Sequence, residues 1–374
     1  MLFKEIQGLQ DVKLQLVNSV SQNHLAHALL FSGKEGGAGL ALALAFATYV
    51  NCTDQKEIDA CGQCPSCMKS RKFIHPDLHF VFPVCSTKDI TGTNVVSVNY
   101  LKDWRRFILE NPYGAASDWN ICFGGDNKQL NISKEESRQI IKNLTLKTFE
   151  GEYKIMLIWL PEYMHPAAAN AILKILEEPP MKTLFLLVTQ KQEDLLPTII
   201  SRTQPVQIRS FTDEEIVEIL VEKYNAEPSK ATHIAQISDG NINMAIQMYA
   251  EVEDDSHKML RDWMRLCFTN DYAQLVSWTD LFQKTSKLGQ KSMLQYGLNI
   301  MRETLLVHAE NRHLSRLLGE EKTFVENFSN VISPDMVMEM TEQLDLALFH
   351  LERNANAKIV FLDLSLKMSS IMRT

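Results

Sequence analysis

The sequence predicts an α/β domain with a parallel sheet followed by helical domains, and three observations lead to this fold class. The segments YKIMLIWL (153–160) and TLFLLVTQ (183–190) are almost uninterrupted apolar runs, which is typical of strands buried on both faces of a parallel sheet. The segment HPAAANAILKILEEPP (165–180) between them has an apolar helical face and ends at prolines. After residue 209 the strand pattern stops, and helical periodicity continues almost to the end of the chain.

The length of 374 residues suggests two or three domains. We expect an α/β domain over residues 1–208, a small helical domain over 209–254 and a larger helical domain over 255–374. The acidic stretch EVEDDS (251–256) is interpreted as a hinge or linker between the two helical parts.

The first half of the chain is read in order as a helix, a strand from Ala28 to Phe31, a glycine-rich turn and a helix over Leu40–Val50. Ala and Leu are strong helix formers, which favours that second helix. Residues 76–131 are predicted to be irregular, apart from a strand in HFVFPV (79–84). Within them, residues 85–131 receive no function.

Two later helices open with capping signals. Ser133 followed by Glu136 predicts a capping box before a helix with an apolar face, and Thr212 followed by Glu215 predicts another. Between them, LLPTIISRTQPVQI (195–208) predicts a short helical turn that leads into an edge strand.

The bulk composition indicates a globular protein, with 45% hydrophobic and 22% charged residues. The formal net charge of −8 argues against a surface that binds nucleic acid over its whole extent. The first 20 residues are amphipathic and carry regular polar positions, so we expect neither a secretory signal nor a membrane span, and a cytoplasmic location.

Four of the seven cysteines form a cluster with the spacing C-x8-C-x2-C-x2-C, and these are Cys52, Cys61, Cys64 and Cys67. Two overlapping CxxC pairs bring thiolates close enough to bind one tetrahedral Zn²⁺ ion. A site closed by four thiolates is structural, so no zinc chemistry is expected. The alternative interpretation is a set of free thiols.

The stretch LFSGKEGGAGLALALA (30–45) begins like a phosphate-binding loop and then departs from that pattern. A working loop of the form GxxxxGK[ST] needs a lysine for the outer phosphates and a hydroxyl for magnesium. Counting from Gly33, Gly39 stands at the lysine position and Leu40 at the hydroxyl position. The loop, with Gly33, Gly36 and Gly39, is therefore interpreted as degenerate, and no nucleotide is expected to bind there.

The order of these motifs resembles one protein family. The loop-like turn, the cysteine module, NAILKILEEPP, LFLLVTQ and LLPTIISRTQ together resemble the clamp-loader subunits of the AAA+ ATPases, and most closely the bacterial delta-prime branch. The likeness covers most of residues 1–250 and is strongest over 166–208. Compared with the family, residues 85–131 are interpreted as an insertion. It implies an AAA+-like domain, a helical lid domain and a C-terminal collar domain, although residues 255–374 match the collar only in length and position.

In active members of this family, the strand before the NAILK helix ends in an acidic pair that holds magnesium. That pair would fall on Trp159 and Leu160. The family's second-sensor arginine would fall on Asn243, in GNINMAI, and its first-sensor position is Thr189, for which we expect only a structural hydroxyl. Phosphoryl transfer requires such groups, so the resemblance implies a chain that does not hydrolyse ATP itself.

One functional residue of the family is retained. Arg202, in the SRTQ turn, matches the arginine that projects from one clamp-loader subunit towards the ATP of its neighbour. A guanidinium at the γ-phosphate stabilises the charge of the transition state. The alternative is a surface arginine that pairs with a local carboxylate.

The resemblance therefore implies a non-catalytic subunit of the DNA polymerase III clamp loader. Its expected partners are the gamma/tau motor subunits, which bind the ATP, the delta subunit, and through the complex the sliding clamp and primed DNA. Two other functions remain open: an active ATPase motor of the same family, or a zinc-dependent nucleic-acid-binding module. Nucleotide binding by the isolated chain would favour the former, and a salt-sensitive affinity for DNA would favour the latter.

Overall fold

The computed structural model describes residues 1–125, 128–145, 147–250, 256–285, 287–309, 319–353 and 355–373. The chain divides into two compact units, Met1–Pro228 with Ser238–Met244, and Ser229–Ile237 with Ala245–Thr374. Apart from Ser256, the acidic stretch interpreted as a hinge lies outside the described residues. The division into three domains at 208/209 and 254/255 stays a prediction.

Strands and helices alternate in the first unit as far as its edge strand. In chain order they are α1 (Gln10–Ser21), β1 (Ala28–Ser32), α2 (Gly39–Val50), α3 (Pro65–Arg71), β2 (Leu78–Val81), α4 (Leu101–Glu110), α5 (Ala116–Cys122), α6 (Lys134–Thr145), β3 (Lys154–Trp159), α7 (Pro166–Glu177), β4 (Thr183–Thr189), α8 (Pro197–Ile200), β5 (Gln204–Gln207) and α9 (Asp213–Tyr224).

The rest of the described chain is helical. Its helices are α10 (Pro228–Ser238), α11 (Ile242–Ala250), α12 (Ser256–Thr269), α13 (Tyr272–Lys284), α14 (Lys287–His308), α15 (Gly319–Ser329), α16 (Pro334–Glu352) and α17 (Ala357–Ile371). Among the described helices, none is both long enough and apolar enough to cross a membrane.

The five strands form one parallel sheet in the order β2-β3-β4-β1-β5. Every residue of β3 and β4 is buried, as their continuous apolar runs predict, whereas three of the four residues of the edge strand β5 are exposed. The predicted fold class, a parallel α/β domain followed by helices, is confirmed.

The prediction that residues 76–131 are irregular is wrong, because α4 and α5 lie within them. Both helices pack around a cluster of aromatic side chains. Trp104 and Trp119 are fully buried, and Trp104 stacks on Phe82 with ring centroids 4.2 Å apart. Trp104, Phe107 and Ile108 have the i, i+3, i+4 spacing of one helical face, so the sequence did contain a signal for α4.

The predicted capping box of α6 is also wrong, whereas the box of α9 is confirmed. Thr212 and Glu215 bond reciprocally at the start of α9. At the start of α6, by contrast, the Glu136 carboxylate accepts a hydrogen bond of 2.6 Å from the backbone N–H of Ser97. The Ser133 hydroxyl has no hydrogen-bond partner within the described part of the chain. Glu136 therefore fixes the insertion to α6 instead of capping its own helix.

Burial raises the pKa of Glu136 to about 7, although the Ser97 backbone and hydroxyl groups favour its charged form. Because the folded protein then binds this proton more tightly than the unfolded chain does, its stability falls as pH rises from 4.5 to about 7. We expect Glu136→Gln to remove this loss, which amounts to at most about 3 kcal/mol. Urea unfolding of both proteins at pH 5 and 7.5 measures the difference.

Glu135→Gln is the matched control for this prediction, because the neighbouring carboxylate is partly exposed and pairs with Arg138 on the same helix. It should follow the wild-type pH dependence. A stability difference between wild type and Glu136→Gln that is the same at both pH values would contradict the assignment.

The second unit has its own core, built from helices packed on one another. The rings of Phe282 on α13 and Phe361 on α17 stack with centroids 4.0 Å apart. Trp263 on α12 is fully buried, and its indole N–H donates to the Ser365 hydroxyl at 2.9 Å. These contacts give the buried Trp263 N–H a hydrogen-bond partner and join α12, α13 and α17.

Candidate functional site

The phosphate-loop-like turn connects β1 to α2, where parallel α/β folds place their ligand-binding loops. Gly33 donates its N–H to the Thr189 carbonyl at 3.3 Å, and Gly36 has a positive φ of 71°. A Cβ at Gly39 would meet the Val188 Cγ1 atom at 3.2 Å, and Leu40 is 4% exposed. The two positions that would carry the lysine and the hydroxyl thus pack against the core.

The carboxyl end of β3 is apolar. Trp159 and Leu160 are 1% and 0% exposed, and the Trp159 ring lies 5.1 Å from Trp104 and 5.7 Å from Phe107, measured between ring centroids. Indole and isobutyl groups offer no oxygen ligand for magnesium. Neither of these two side chains can therefore serve as a metal ligand.

Glu162, the carboxylate that follows this strand in the sequence, forms hydrogen bonds to the end of β4. It accepts hydrogen bonds from the Thr189 hydroxyl at 3.0 Å and from the Gln190 N–H at 2.9 Å. Burial raises its pKa, and these hydrogen bonds oppose the shift. The Thr189 hydroxyl at the end of β4 thus has a hydrogen-bond partner in its own chain, and its purely structural role stays a prediction.

Asn243, at the predicted position of the second sensor, is buried and bonds to two side chains of the insertion. Its side-chain amide donates to Asp118 at 2.7 Å, and its side-chain oxygen accepts from Asn111 at 2.8 Å. Its backbone N–H donates to the Gly36 carbonyl at 3.3 Å. The segment that follows the Gly-Asn break is therefore joined directly to the turn after β1.

Arg202 follows α8 and pairs with a carboxylate of its own chain. Its Nε and Nη2 atoms lie 3.1 and 2.8 Å from one oxygen of Glu177, the last residue of α7. Its Nη1 atom donates to the Thr198 carbonyl at 3.1 Å. The Arg202 side chain is 31% exposed and that of Glu177 is 59% exposed, so both remain accessible to solvent. The sequence predicted a local carboxylate partner only as the alternative for Arg202 and did not identify it as Glu177.

The four clustered cysteines converge as their spacing predicts. All four Sγ atoms lie within 4.8 Å of one another, and those of Cys61 and Cys67 are 3.9 Å apart. Tetrahedral Zn–S bonds of about 2.3 Å place sulfur atoms roughly 3.8 Å apart, so the cluster fits a metal ion.

Backbone N–H groups point at these sulfur atoms in the manner expected of thiolate ligands. Cys61 N–H donates to the Cys52 sulfur at 3.3 Å, and Cys67 N–H to the Cys64 sulfur at 3.4 Å. Burial raises the pKa of Cys64, but hydrogen bonds from Thr53 and Cys67 outweigh it and lower that pKa to about 6. At Cys52 and Cys67 burial prevails and raises the pKa.

The cysteine module also bonds to the N-terminal segment, and this contact was not predicted from the sequence. Asp59, in the loop between Cys52 and Cys61, accepts hydrogen bonds of 3.0 Å from the backbone N–H groups of Phe3 and Lys4. The start of the chain thus depends on the loop that the four cysteines organise.

The fold and this site define a class of protein: a parallel α/β domain with a glycine-rich turn after its first strand and a cluster of four cysteines. Residues 8–212 match the family model described as "DNA polymerase III, delta subunit", and the chain belongs to that family. The resemblance to its delta-prime members is confirmed by curated relatives of that name.

Two of these relatives are delta-prime subunits. The chain is 26% identical over 247 residues to the subunit of Bacillus subtilis, covering 66% of this chain and 61% of the relative. It is 30% identical over 190 residues to that of Yersinia pestis, covering 50% and 43%. The tau subunit of B. subtilis is 25% identical over 278 residues, covering 73% of this chain and 41% of the relative.

Among solved structures, a gamma subunit-related protein of Thermotoga maritima aligns with a TM-score of 0.42 at 14% identity, covering 96% of this chain and all of that one. The clamp loader delta protein of B. subtilis aligns with a TM-score of 0.32 at 9% identity, covering 97% of this chain and all of that one.

Proposed function

We propose that this chain is a non-catalytic subunit of the DNA polymerase III clamp loader, located in the cytoplasm. In this role it assembles with the gamma/tau motor subunits and the delta subunit, and the complex loads the sliding clamp on primed DNA. One observation carries the proposal: in a member of this family, the carboxyl end of β3 presents the buried side chains of Trp159 and Leu160 where phosphoryl transfer needs carboxylates.

Arg202 is proposed to act in trans on the ATP of a neighbouring subunit. Its guanidinium is held at the surface by Glu177, and exposed ion pairs contribute little stability. Exchange of the Glu177 carboxylate for a γ-phosphate of higher charge therefore costs little. The role of the chain is then to present this arginine, and the helical region 255–374 is proposed to serve ring assembly.

The four cysteines are proposed to hold one structural Zn²⁺ ion, with Cys52, Cys61, Cys64 and Cys67 as its ligands. A bound zinc ion would add cross-links between the loop that carries Asp59 and the start of α3. The residues of the chain then position the N-terminal segment through Asp59, with no part in the chemistry of ATP.

We expect the isolated chain neither to hydrolyse ATP nor to be stabilised by Mg-ATP. A ligand at 100 times its dissociation constant adds about 2.7 kcal/mol to the stability of the protein it binds, which corresponds to a shift of several degrees in the unfolding temperature. Thermal unfolding of this chain with and without millimolar Mg-ATP should give the same midpoint. A motor subunit of the same complex is the positive control.

Three measurements separate the proposal from its alternatives. A clear Mg-ATP shift, or turnover by the chain alone, would favour an active motor. A salt-sensitive affinity of the isolated chain for primed DNA would favour a zinc-dependent DNA-binding module. Reconstitution of the clamp loader with and without this chain tests the proposal directly, because clamp loading on primed DNA should require it.

A further inference from the structure

We propose that the insertion, residues 85–131, is a built-in substitute for a nucleotide. In this proposal the insertion fills the crevice at the carboxyl edge of the sheet and fixes the segment Gly240–Asn243 against the turn after β1. This inference deepens the proposed function and rests on it, because it identifies the part of the chain that closes the inactive site.

The crevice is defined by the ends of three neighbouring strands. In open parallel sheets, ligands bind beyond the carboxyl ends of the strands. Here β3 and β4 end at Trp159 and Thr189, and β1 ends at Ser32 next to β4. The hydrogen bond from Gly33 N–H to the Thr189 carbonyl keeps the turn after β1 close to the end of β4.

Aromatic side chains of the insertion cover the β3 end of this crevice. Trp104 and Phe107 of α4 pack on Trp159, and the three are 0%, 3% and 1% exposed. A hydrated magnesium–phosphate group against these rings would lose its solvation without gaining oxygen ligands, which is costly. The aromatic contact therefore excludes a charged ligand and gains apolar burial instead.

Polar side chains of the insertion hold the other side of the crevice. Asn111 follows α4 and Asp118 lies in α5, and both bond to the Asn243 side chain at 2.8 and 2.7 Å. The backbone of Asn243 bonds to Gly36 in the turn after β1. The insertion thus supplies one donor and one acceptor to the segment that contacts the loop-like turn.

A third contact strengthens this connection. Tyr113, between α4 and α5, meets the ring of Phe211 edge-on, with centroids 6.0 Å apart. Phe211 in turn donates its N–H to the Gly240 carbonyl at 3.3 Å. Both ends of the segment Gly240–Asn243 are therefore supported, one directly and one through Phe211.

A segment of the same chain differs from a diffusible ligand because it cannot dissociate from the protein. Nucleotide-dependent contacts last only while the nucleotide is bound, whereas residues of the same chain act at high effective concentration and are preorganised. The geometry around the turn after β1 is then independent of ATP concentration, which suits a subunit that must present a fixed surface to its neighbour.

Hydrogen exchange of the full-length chain, followed by mass spectrometry, tests this proposal with Asn111→Ala, Asn243→Ala and the double variant. We expect amide exchange in peptides over 34–40 and 238–244 to be about tenfold faster in both single variants. Because the two side chains bond to each other, the double variant should exchange no faster than Asn243→Ala. Peptides of β3 and β4 should be unchanged, which shows that the fold is intact.

Asn99→Ala is the control within the insertion, because Asn99 bonds to Asn94 at an exposed position, and it should behave like the wild type. If Asn243→Ala does not fold, Asn111→Ala still decides the matter, since it removes one partly buried hydrogen bond at the end of a helix. Unchanged exchange at both segments in Asn111→Ala would overturn the proposal.

Protection of residues 34–40 of the wild-type chain by Mg-ATP would overturn it as well, because the crevice would then be open to nucleotide. Protection by Mg-ATP would contradict the proposed function as well. Unchanged exchange in Asn111→Ala, by contrast, would overturn only this inference, because the proposed function is reported separately by clamp loading with the reconstituted complex.

Discussion

Replacement of Arg202 by alanine is expected to lower ATP hydrolysis by the reconstituted clamp loader, measured with its clamp and primed DNA present. An arginine finger supplied in trans raises turnover by about 10³–10⁵ at the site that it serves. Under the proposed function Arg202 serves one neighbouring ATP site, so we expect loss of turnover at that site and a clear but incomplete fall in the total rate. The chain alone should show no hydrolysis in either form.

Two further variants separate the finger from a merely structural arginine. Arg138→Ala removes another exposed arginine with a local carboxylate partner and should leave turnover unchanged. Glu177→Gln removes the charge that holds Arg202 and should maintain or raise turnover. All variants must first assemble like the wild type. Turnover of Arg202→Ala equal to that of wild type would leave Arg202 as a surface residue paired with Glu177.

Loss of a cysteine of the cluster is expected to have the largest effect on stability. Cys67 is completely buried, and a structural zinc site contributes its binding free energy to folding. We expect Cys67→Ala to lose the metal and about 5 kcal/mol of stability, which corresponds to roughly 10–20 °C in the unfolding temperature. Elemental analysis and calorimetry measure the two quantities.

The same variant should release the N-terminal segment, because Asp59 would lose the framework that positions it against Phe3 and Lys4. Faster amide exchange at residues 2–6 is therefore expected. Cys122→Ala is the control, since this cysteine lies outside the cluster, and it should retain about one zinc per chain. A wild-type protein purified without zinc and insensitive to chelators would instead support free thiols.

Much of the α/β domain could be predicted from sequence because its signals are local. Uninterrupted apolar runs identified β3 and β4, and the spacing of the cysteines identified residues whose sulfur atoms do converge. The absence of a lysine at Gly39 and of carboxylates at Trp159 and Leu160 is also a property of the sequence itself.

The capping boxes show where local signals fail. Thr212 and Glu215 behave as their spacing predicts, but Glu136 bonds to Ser97, 39 residues away. In a capping box, the N-cap backbone N–H donates to the carboxylate three residues later. Every other donor that folding brings near competes for that carboxylate. At the start of α6, a donor from the insertion was available in the protein interior, where an unpaired N–H group is costly.

The sequence by itself determined the buried strands of the sheet, the spacing of the four cysteines and the apolar residues at positions 39, 159 and 160. The tertiary structure alone decided that Arg202 pairs with Glu177, 25 residues away, and that Asn243 bonds to Asn111 and Asp118, 132 and 125 residues away. The physical reason is the separation along the chain over which each interaction acts. Periodicity and capping act within about four residues, whereas the partner of a polar side chain is set by packing between distant segments.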